Sequence, residues 1–354
     1  MPLLQRLWRF HRDALLREAK KKGEDKGPYV GETFVFIATS RCNFSCKHCL
    51  RSLEQPTDLP LDVALRTLEE GRKFNFRTVA ITGGEPLLYP HLEAVTERAA
   101  ALDYKIGLVT NGFDLPRHTA YLRRYKKSFG YIAFSLESAD PRKHDALRRS
   151  GSFARLMDDF DLCRREEIPF RAQATIGRHN IEEVLDIALL AKKKRIPHLS
   201  FTTILPCPRS QDNDLVLSAP ERQELFWDLL ALQRTLHLSV RVAADIRAYA
   251  NTRLCHPMNL REVAIDAAGH VVQCCEVADF DHPVIRNFTR IADLKTESLP
   301  EALKKLSAYF HRFTCARIDD MARTPAQDAD ADFNSCFYCL RKIPALSGAP
   351  ADTP

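Results

Sequence analysis

Three cysteines spaced Cys42-x3-Cys46-x2-Cys49, in the run Arg41-Cys-Asn-Phe-Ser-Cys-Lys-His-Cys49, are the residues of this chain best suited to chemistry. Three thiolates cannot close a tetrahedral site alone. They can hold three corners of a cubane [4Fe–4S] cluster and leave the fourth iron open to a ligand. A zinc site needs a fourth donor, and the nearest is His48, which immediately precedes Cys49 and would strain a compact site. The spacing therefore favours an open cluster, a reactive centre rather than a structural staple.

The apolar run Thr78-Val79-Ala80-Ile81 leads directly into Thr82-Gly83-Gly84-Glu85-Pro86. Paired glycines let backbone approach a ligand closely, and a glutamate there can accept hydrogen bonds from an ammonium group. Together the two segments resemble, residue for residue, the signature of the radical S-adenosylmethionine (SAM) superfamily: a Cys-x3-Cys-x2-Cys loop after the first strand and a Gly-Gly-Glu-Pro-type segment after the second. The resemblance implies SAM chelated by the open iron, with Gly83, Gly84, Glu85 and Pro86 beside its ammonium group. It also implies reductive cleavage to a 5′-deoxyadenosyl radical that abstracts hydrogen from a substrate, with the electron coming from a donor such as flavodoxin or ferredoxin.

The elements that must position these loops are legible as periodicity. Strand-like runs Phe34–Thr39, Thr78–Thr82, Lys105–Thr110, Tyr131–Leu136, Phe170–Ile176 and Leu199–Leu205 alternate with helical patterns near 61–74, 90–102, 115–127, 152–166, 180–195 and 220–237. The run Ser218-Ala-Pro-Glu221 reads as a helix start, with a cap, a proline and an acidic first turn. Such βα repetition predicts an α/β fold with parallel strands and outer helices. Periodicity leaves an open sheet and a barrel as alternatives; the superfamily resemblance selects a partial (β/α)6 TIM-like barrel.

Chemistry in such folds sits at the carboxyl ends of the strands. That places Asn111 after strand three, Ser135 and Glu137 after four, Arg178 after five and Cys207 after six in one region. By resemblance, Ser135 and Arg178 are the best matches for contacts to the SAM ribose and carboxylate, with Asn111 and Glu137 beside them. Strand-end capping is the competing reading for Ser135 and Glu137. Cys207 is a candidate hydrogen-atom donor or ligand at the barrel mouth, against an inert buried thiol. Cys163, mid-helix, reads as core packing.

A second cysteine group follows residue 250. Cys255, the hairpin-like Asp266-Ala-Ala-Gly269-His-Val-Val-Gln-Cys274 and the Cys336-Phe-Tyr-Cys339 pair make four thiolates, enough to close a site. Zinc and a second [4Fe–4S] cluster compete on chemistry alone. The arrangement resembles the auxiliary-cluster extension of radical SAM enzymes, a SPASM domain or its shortened twitch form. No cysteine follows Cys339, which favours the one-cluster form. Cys275 and Cys315 are alternate ligands. The organisation expected is a basic amphipathic helix and linker over 1–32, a barrel over 33–240, a small α+β cluster-binding extension over 241–342 and a flexible tail over 343–354.

Composition bounds the rest. The chain has 354 residues, 45% hydrophobic and 28% charged, with eleven cysteines and a net charge of +6. Eleven cysteines without a signal peptide argue against a secreted disulfide framework and for metal in a reducing, cytoplasmic setting. No stretch approaches the roughly 18 consecutive apolar residues of a membrane helix. Residues 1–22, with Leu4, Leu7, Trp8 and Leu15 on one face and many basic residues, read as a helix covering the main domain or as a peripheral membrane contact. The mild charge gives no basis for nucleic-acid binding. The expected reaction is an oxidation in which an auxiliary cluster accepts the substrate's electron. The expected substrate is a peptide, as in ribosomal peptide maturation, or else a sugar or aminocyclitol; a non-catalytic metal scaffold is the remaining alternative. The first 32 residues are too short for a winged-helix leader-binding domain, which weighs against the peptide.

Overall fold

A computed structural model describes residues 31–52, 56–243, 246, 255–323 and 335–346. The amphipathic segment 1–22, the tail beyond 346 and residues 324–334 of the Asp/Ala-rich connection lie outside them; Asp319–Arg323 of that connection are helical.

Strand and helix alternate from β1 (Thr33–Thr39) through α1 (Leu61–Lys73), β2 (Thr78–Gly83), α2 (Leu92–Ala101), β3 (Lys105–Thr110), α3 (Thr119–Tyr125) and β4 (Phe129–Ser135). Two helices, α4 (Pro141–Leu147) and α5 (Ser152–Arg165), precede β5 (Phe170–Ile176). The series continues as α6 (Val184–Lys193), β6 (His198–Thr203), α7 (Pro208–Asp212), α8 (Ala219–Thr235) and β7 (Ser239–Val242). The start of α8 follows from its sequence. Ser218 Oγ accepts from Glu221 N, and the Glu221 carboxylate accepts from Ser218 N at 2.6 Å, a reciprocal cap with Pro220 in the first turn.

β1 to β7 lie side by side in chain order and run parallel, as in a partial barrel. The sheet does not stop at six strands. β7 is a seventh, and its four residues, Ser-Val-Arg-Val, are too few to show a period. On the other side of β1 lies β8 (Glu262–Ile265), parallel to it with Val35 opposite Ala264. β9 (His270–Val272) returns antiparallel through the Gly269 turn, where φ is +89°, and β10 (Arg290–Asp293) follows it. The hairpin expected from Asp266–Cys274 therefore continues the barrel sheet, giving ten strands in the order β10-β9-β8-β1-β2-β3-β4-β5-β6-β7. α9 (Pro283–Phe288), α10 (Leu299–Arg323) and α11 (Ser335–Leu346) complete the C-terminal region.

Alternation along the strands separates two faces. Phe34, Phe36, Val79, Ile81, Ile106 and Leu108 pack into the main core under the helices. Val35, Ile37, Ala80, Ala264, Val272 and Ala278 form a separate small cluster on the opposite, concave face. Among the described residues no helix is long and apolar enough to cross a membrane.

Candidate active site

The loop after β1 carries Cys42, Cys46 and Cys49, and the end of β2 grips it by its backbone. Gly84 N donates to Thr39 O and Glu85 N to Arg41 O, both at 2.7 Å. The glycines make this approach possible. A Cβ on Gly83, whose φ is +143°, would stand 2.3 Å from Thr39 O, and one on Gly84 would stand 2.2 Å from Arg41 O. The close approach is thus to the cysteine loop's own backbone.

Glu85 is fully buried and turns towards β3. Its Oε1 accepts from Thr110 Oγ1 at 2.6 Å and Leu87 N at 3.1 Å, and its Oε2 accepts from Asn111 N at 2.8 Å. Burial raises its pKa to about 6, partly opposed by these hydrogen bonds. Pro86 opens the short 3-10 turn that follows. Asn111 Nδ2 reaches back to Asn43 Oδ1 at 2.8 Å, tying the end of β3 to the cysteine loop. Glu85 and Asn111 thereby brace the loop.

Beyond β4, Glu137 is buried and joins three elements. It accepts from Arg148 Nη1 at 2.7 Å and Thr175 N at 2.8 Å, and its backbone carbonyl accepts from Asn180 Nδ2. His48 Nε2 lies 3.8 Å from the same carboxylate, its imidazole held neutral with a pKa near 3 by burial and by Arg148. Arg148 was not singled out from sequence, yet it is the guanidinium beside the first thiols. Burial opposes its charge, but Cys46, Glu137 and Cys42 more than offset that and raise its pKa. The available signal was helical spacing: His144 and Arg148 are four apart at the end of α4, and both face Glu137.

The other expected contacts are less tightly grouped. Ser135 ends β4, half-buried, opposite Gln173. Arg178 is directed to Asp214 and to Glu221, 3.5 Å away, and is partly exposed. These two carboxylates hold it, so the structure does not bring Arg178 to the cysteine loop. Cys207 is buried; its sulfur approaches Cys49 O at 3.6 Å, and its residue caps α7. It forms the wall beneath the first loop.

The second cysteine group does converge. Cys255, Cys274, Cys336 and Cys339, with Cys275, line one cavity of about 170 Å³ together with Thr202, Arg241, Glu262 and Glu276. Burial pushes the Cys255, Cys274 and Cys339 thiols up, and each is raised further by a neighbouring thiolate or carboxylate. Tyr309 Oη donates to Gln273 Oε1 at 2.6 Å, and Gln273 in turn meets Cys339. Cys315 lies exposed on α10, 3.9 Å from His311, away from this cavity.

A short antiparallel ladder joins the two groups. Ser52 N donates to Asp279 O and Asp281 N to Leu50 O, both at 2.9 Å, and Arg51 Nη1 donates to Ala278 O. The strand leaving Cys49 is thus stitched to the segment that follows Cys274 and Cys275.

Do these residues fit iron–sulfur groups? None of the eleven cysteines is in a disulfide. Burial, with the charges of Glu85, Cys46 and Cys49, pushes the Cys42 thiol up to about 12, despite the Phe44 N–H donated to its sulfur. A cationic iron core would relieve this cost, because a coordinated thiol is deprotonated outright. Among the described residues no three His, Cys, Asp or Glu side chains converge to hold a single metal ion.

Residues 36–176 match the family model described as the radical SAM superfamily, which marks that segment as a radical SAM domain. Such a domain implies SAM and a SAM-binding [4Fe–4S] cluster. The chain is 25% identical over 194 residues to the AdoMet-dependent heme synthase of Methanosarcina barkeri, covering 53% of this chain and 55% of that one. It is 27% identical over 183 residues to the antilisterial bacteriocin subtilosin biosynthesis protein AlbA of Bacillus subtilis, covering 50% and 40%. It therefore spans about half the length of these relatives. Among solved structures, native anSMEcpe with bound AdoMet and the Kp18Cys peptide shares the fold, with a TM-score of 0.63 and 14% identity over 90% of this chain and 96% of that one.

Proposed function

We propose that this protein is a radical SAM oxidoreductase of peptide maturation, with a SAM-cleaving cluster on Cys42, Cys46 and Cys49 and an auxiliary [4Fe–4S] cluster on Cys255, Cys274, Cys336 and Cys339. The carrying observation is that these four thiols line one cavity stitched to the first loop. The bound SAM cluster supplies a 5′-deoxyadenosyl radical, which is chemistry no side chain can provide. The chain's own part is orientation and exclusion of water. Glu85 and Asn111 hold the loop rigid, Arg148 sets a positive charge beside Cys46, and Gly83 and Gly84 keep the loop and β2 in contact. Four ligands close the auxiliary site, which suits electron acceptance and a net oxidation.

The peptide reading is supported by the printed role of AlbA in subtilosin biosynthesis and by the peptide bound in anSMEcpe. A small-molecule dehydrogenase is the second reading, favoured by the small-molecule product printed in the name of the heme synthase of Methanosarcina barkeri. Anaerobic reconstitution tests the metal assignment: about eight irons per chain are expected, and about four irons with one zinc would refute the auxiliary cluster. Cys46→Ala should abolish 5′-deoxyadenosine formation. Cys339→Ala should stop substrate turnover while SAM cleavage continues.

A further inference from the structure

Cys274 and Cys275 are adjacent, and the backbone sends them to different places. Cys274 packs with the main core beside Cys255, Cys336 and the C-terminal helices. Cys275 packs instead against the cluster of Val35, Ile37, Ala80, Ala264, Val272 and Ala278 on the concave face. Of the five thiols that line the cavity, the four assigned to the auxiliary cluster pack with the main core, and Cys275 is the one set against the concave-face cluster.

Its surroundings are those of an oriented reacting group. The sulfur hydrogen-bonds the Glu262 carboxylate at the start of β8 and lies 3.7 Å from Glu276 Oε1. Arg241 on β7 faces Glu262 and lines the same cavity. Glu262 of β8, Arg241 of β7 and Cys275 all line the auxiliary cavity, and Cys275 also packs on the concave-face cluster, so the thiol stands where that face meets the cavity. The guanidinium of Arg51, two residues beyond Cys49, bonds Ala278 O and lies within the electrostatic reach of Cys275. Cys207, the other thiol with a claim to hydrogen transfer, is sealed under the first loop.

We propose that Cys275 is a lumen-facing hydrogen-atom donor and not an iron ligand. This rests on the radical reading above. In the step, a carbon-centred radical in the chamber takes the hydrogen of the Cys275 S–H bond. A C–H bond forms, the S–H bond breaks, and a thiyl radical remains. One electron from the low-potential reductant that drives SAM cleavage, with one proton from solvent, restores the thiol. The S–H bond is weaker than the C–H bond formed, so the transfer runs downhill. A donor here lets the chamber quench a substrate radical with solvent-derived hydrogen, a redox-neutral outcome beside oxidation through the auxiliary site.

No substrate is needed for the test. Reconstituted full-length protein is given SAM and dithionite in D2O, and the 5′-deoxyadenosine formed is examined by mass spectrometry. Wild type should place one solvent deuterium in the nucleoside. Cys275→Ala and Cys275→Ser should yield nucleoside at natural isotopic abundance, while Cys207→Ala keeps the label. Iron per chain should match wild type in both Cys275 variants, and iodoacetamide should label Cys275 in the loaded enzyme. Equal deuterium in wild type and Cys275→Ala would overturn the donor role. Loss of about four irons from the Cys275 variants would make it a ligand instead. Absence of 5′-deoxyadenosine from wild type would overturn the underlying radical reading and is distinguishable from both.

Discussion

Asp159→Asn should stabilise this protein, and increasingly so as pH rises. Asp159 lies on the inner face of α5, completely buried, with Gly112 pressed so close that a Cβ there would meet Oδ2 at 2.4 Å. Neither carboxylate oxygen has a hydrogen-bond partner, and the nearest cation, Arg155 Nε, is 3.9 Å away. Burial is the main cause that lifts its pKa from the ordinary 3.8 to about 8; Arg155 opposes, while Asp158 and Glu85 add to it. The sign follows from proton uptake. Between these values the folded chain holds a proton that the unfolded chain has released, so stability falls as pH rises through that window. At about 1.4 kcal/mol per unit, the four-unit gap sets a ceiling of about 5 kcal/mol at pH 8. Arg155 moving inward and water reaching the carboxylate would recover part of this, leaving about 2–3 kcal/mol. Asparagine keeps the shape and never ionises. Urea unfolding of wild type and variant at pH 5 and pH 8 measures the difference, which should widen at the higher pH. A gap that is equal at both pH values, or a less stable variant at pH 8, would refute the claim that Asp159 is a desolvated acid.

Two further substitutions test the bracing of the first loop. Gly84→Ala puts a methyl within 2.2 Å of Arg41 O and strains two 2.7 Å backbone hydrogen bonds; at about 1 kcal/mol per bond plus backbone strain, a loss of about 3 kcal/mol is expected in urea unfolding, with less iron retained on the first site. Arg148→Gln removes the guanidinium from Glu137 and Cys46. It should cost about 3 kcal/mol in stability and shift the first cluster's midpoint potential negative, read by redox titration with electron paramagnetic resonance. A potential that stays in place would mean that Arg148 acts only on the fold.

The repeating βα units and both cysteine groups were legible because each carries a local signal, a period or a fixed spacing. β3 and β5 occupy the very residues that alternation predicts, Lys105–Thr110 and Phe170–Ile176. What stayed hidden depends on long-range pairing. Nothing in Ser239–Val242 marks a strand until β6 pairs with it, and nothing in Glu262–Ile265 announces a partner for β1 more than two hundred residues earlier. Side-chain roles were hidden for the same reason. Arg178 follows a strand at the expected place, but Asp214 and Glu221 reach it first, whereas Arg148 caps the end of α4 outside any motif and meets Glu137 and Cys46 only in the folded chain.

The position of β1 explains how one short loop is tied to both cysteine groups. β1 is paired on both sides, with β2 and with β8, so the loop leaving its end is held from two directions. On the β2 side, Gly84 and Glu85 fasten the stretch before Cys42. On the β8 side, Leu50–Ser52 pair with Asp279–Asp281, directly beyond the hairpin that delivers Cys274 and Cys275. The Cys42–Cys49 thiols are therefore fixed relative to the hairpin by backbone hydrogen bonds rather than by long side chains, and such bonds hold distances that electron and hydrogen transfer both require. With β8 bound to β1 and β9 and β10 beyond it, β10 and β7 are the edges of the sheet, and Arg241 of β7 lies within electrostatic reach of Glu262 of β8. A substrate on the concave face would have the first cysteine loop at the strand ends and Cys275 beside the auxiliary thiols.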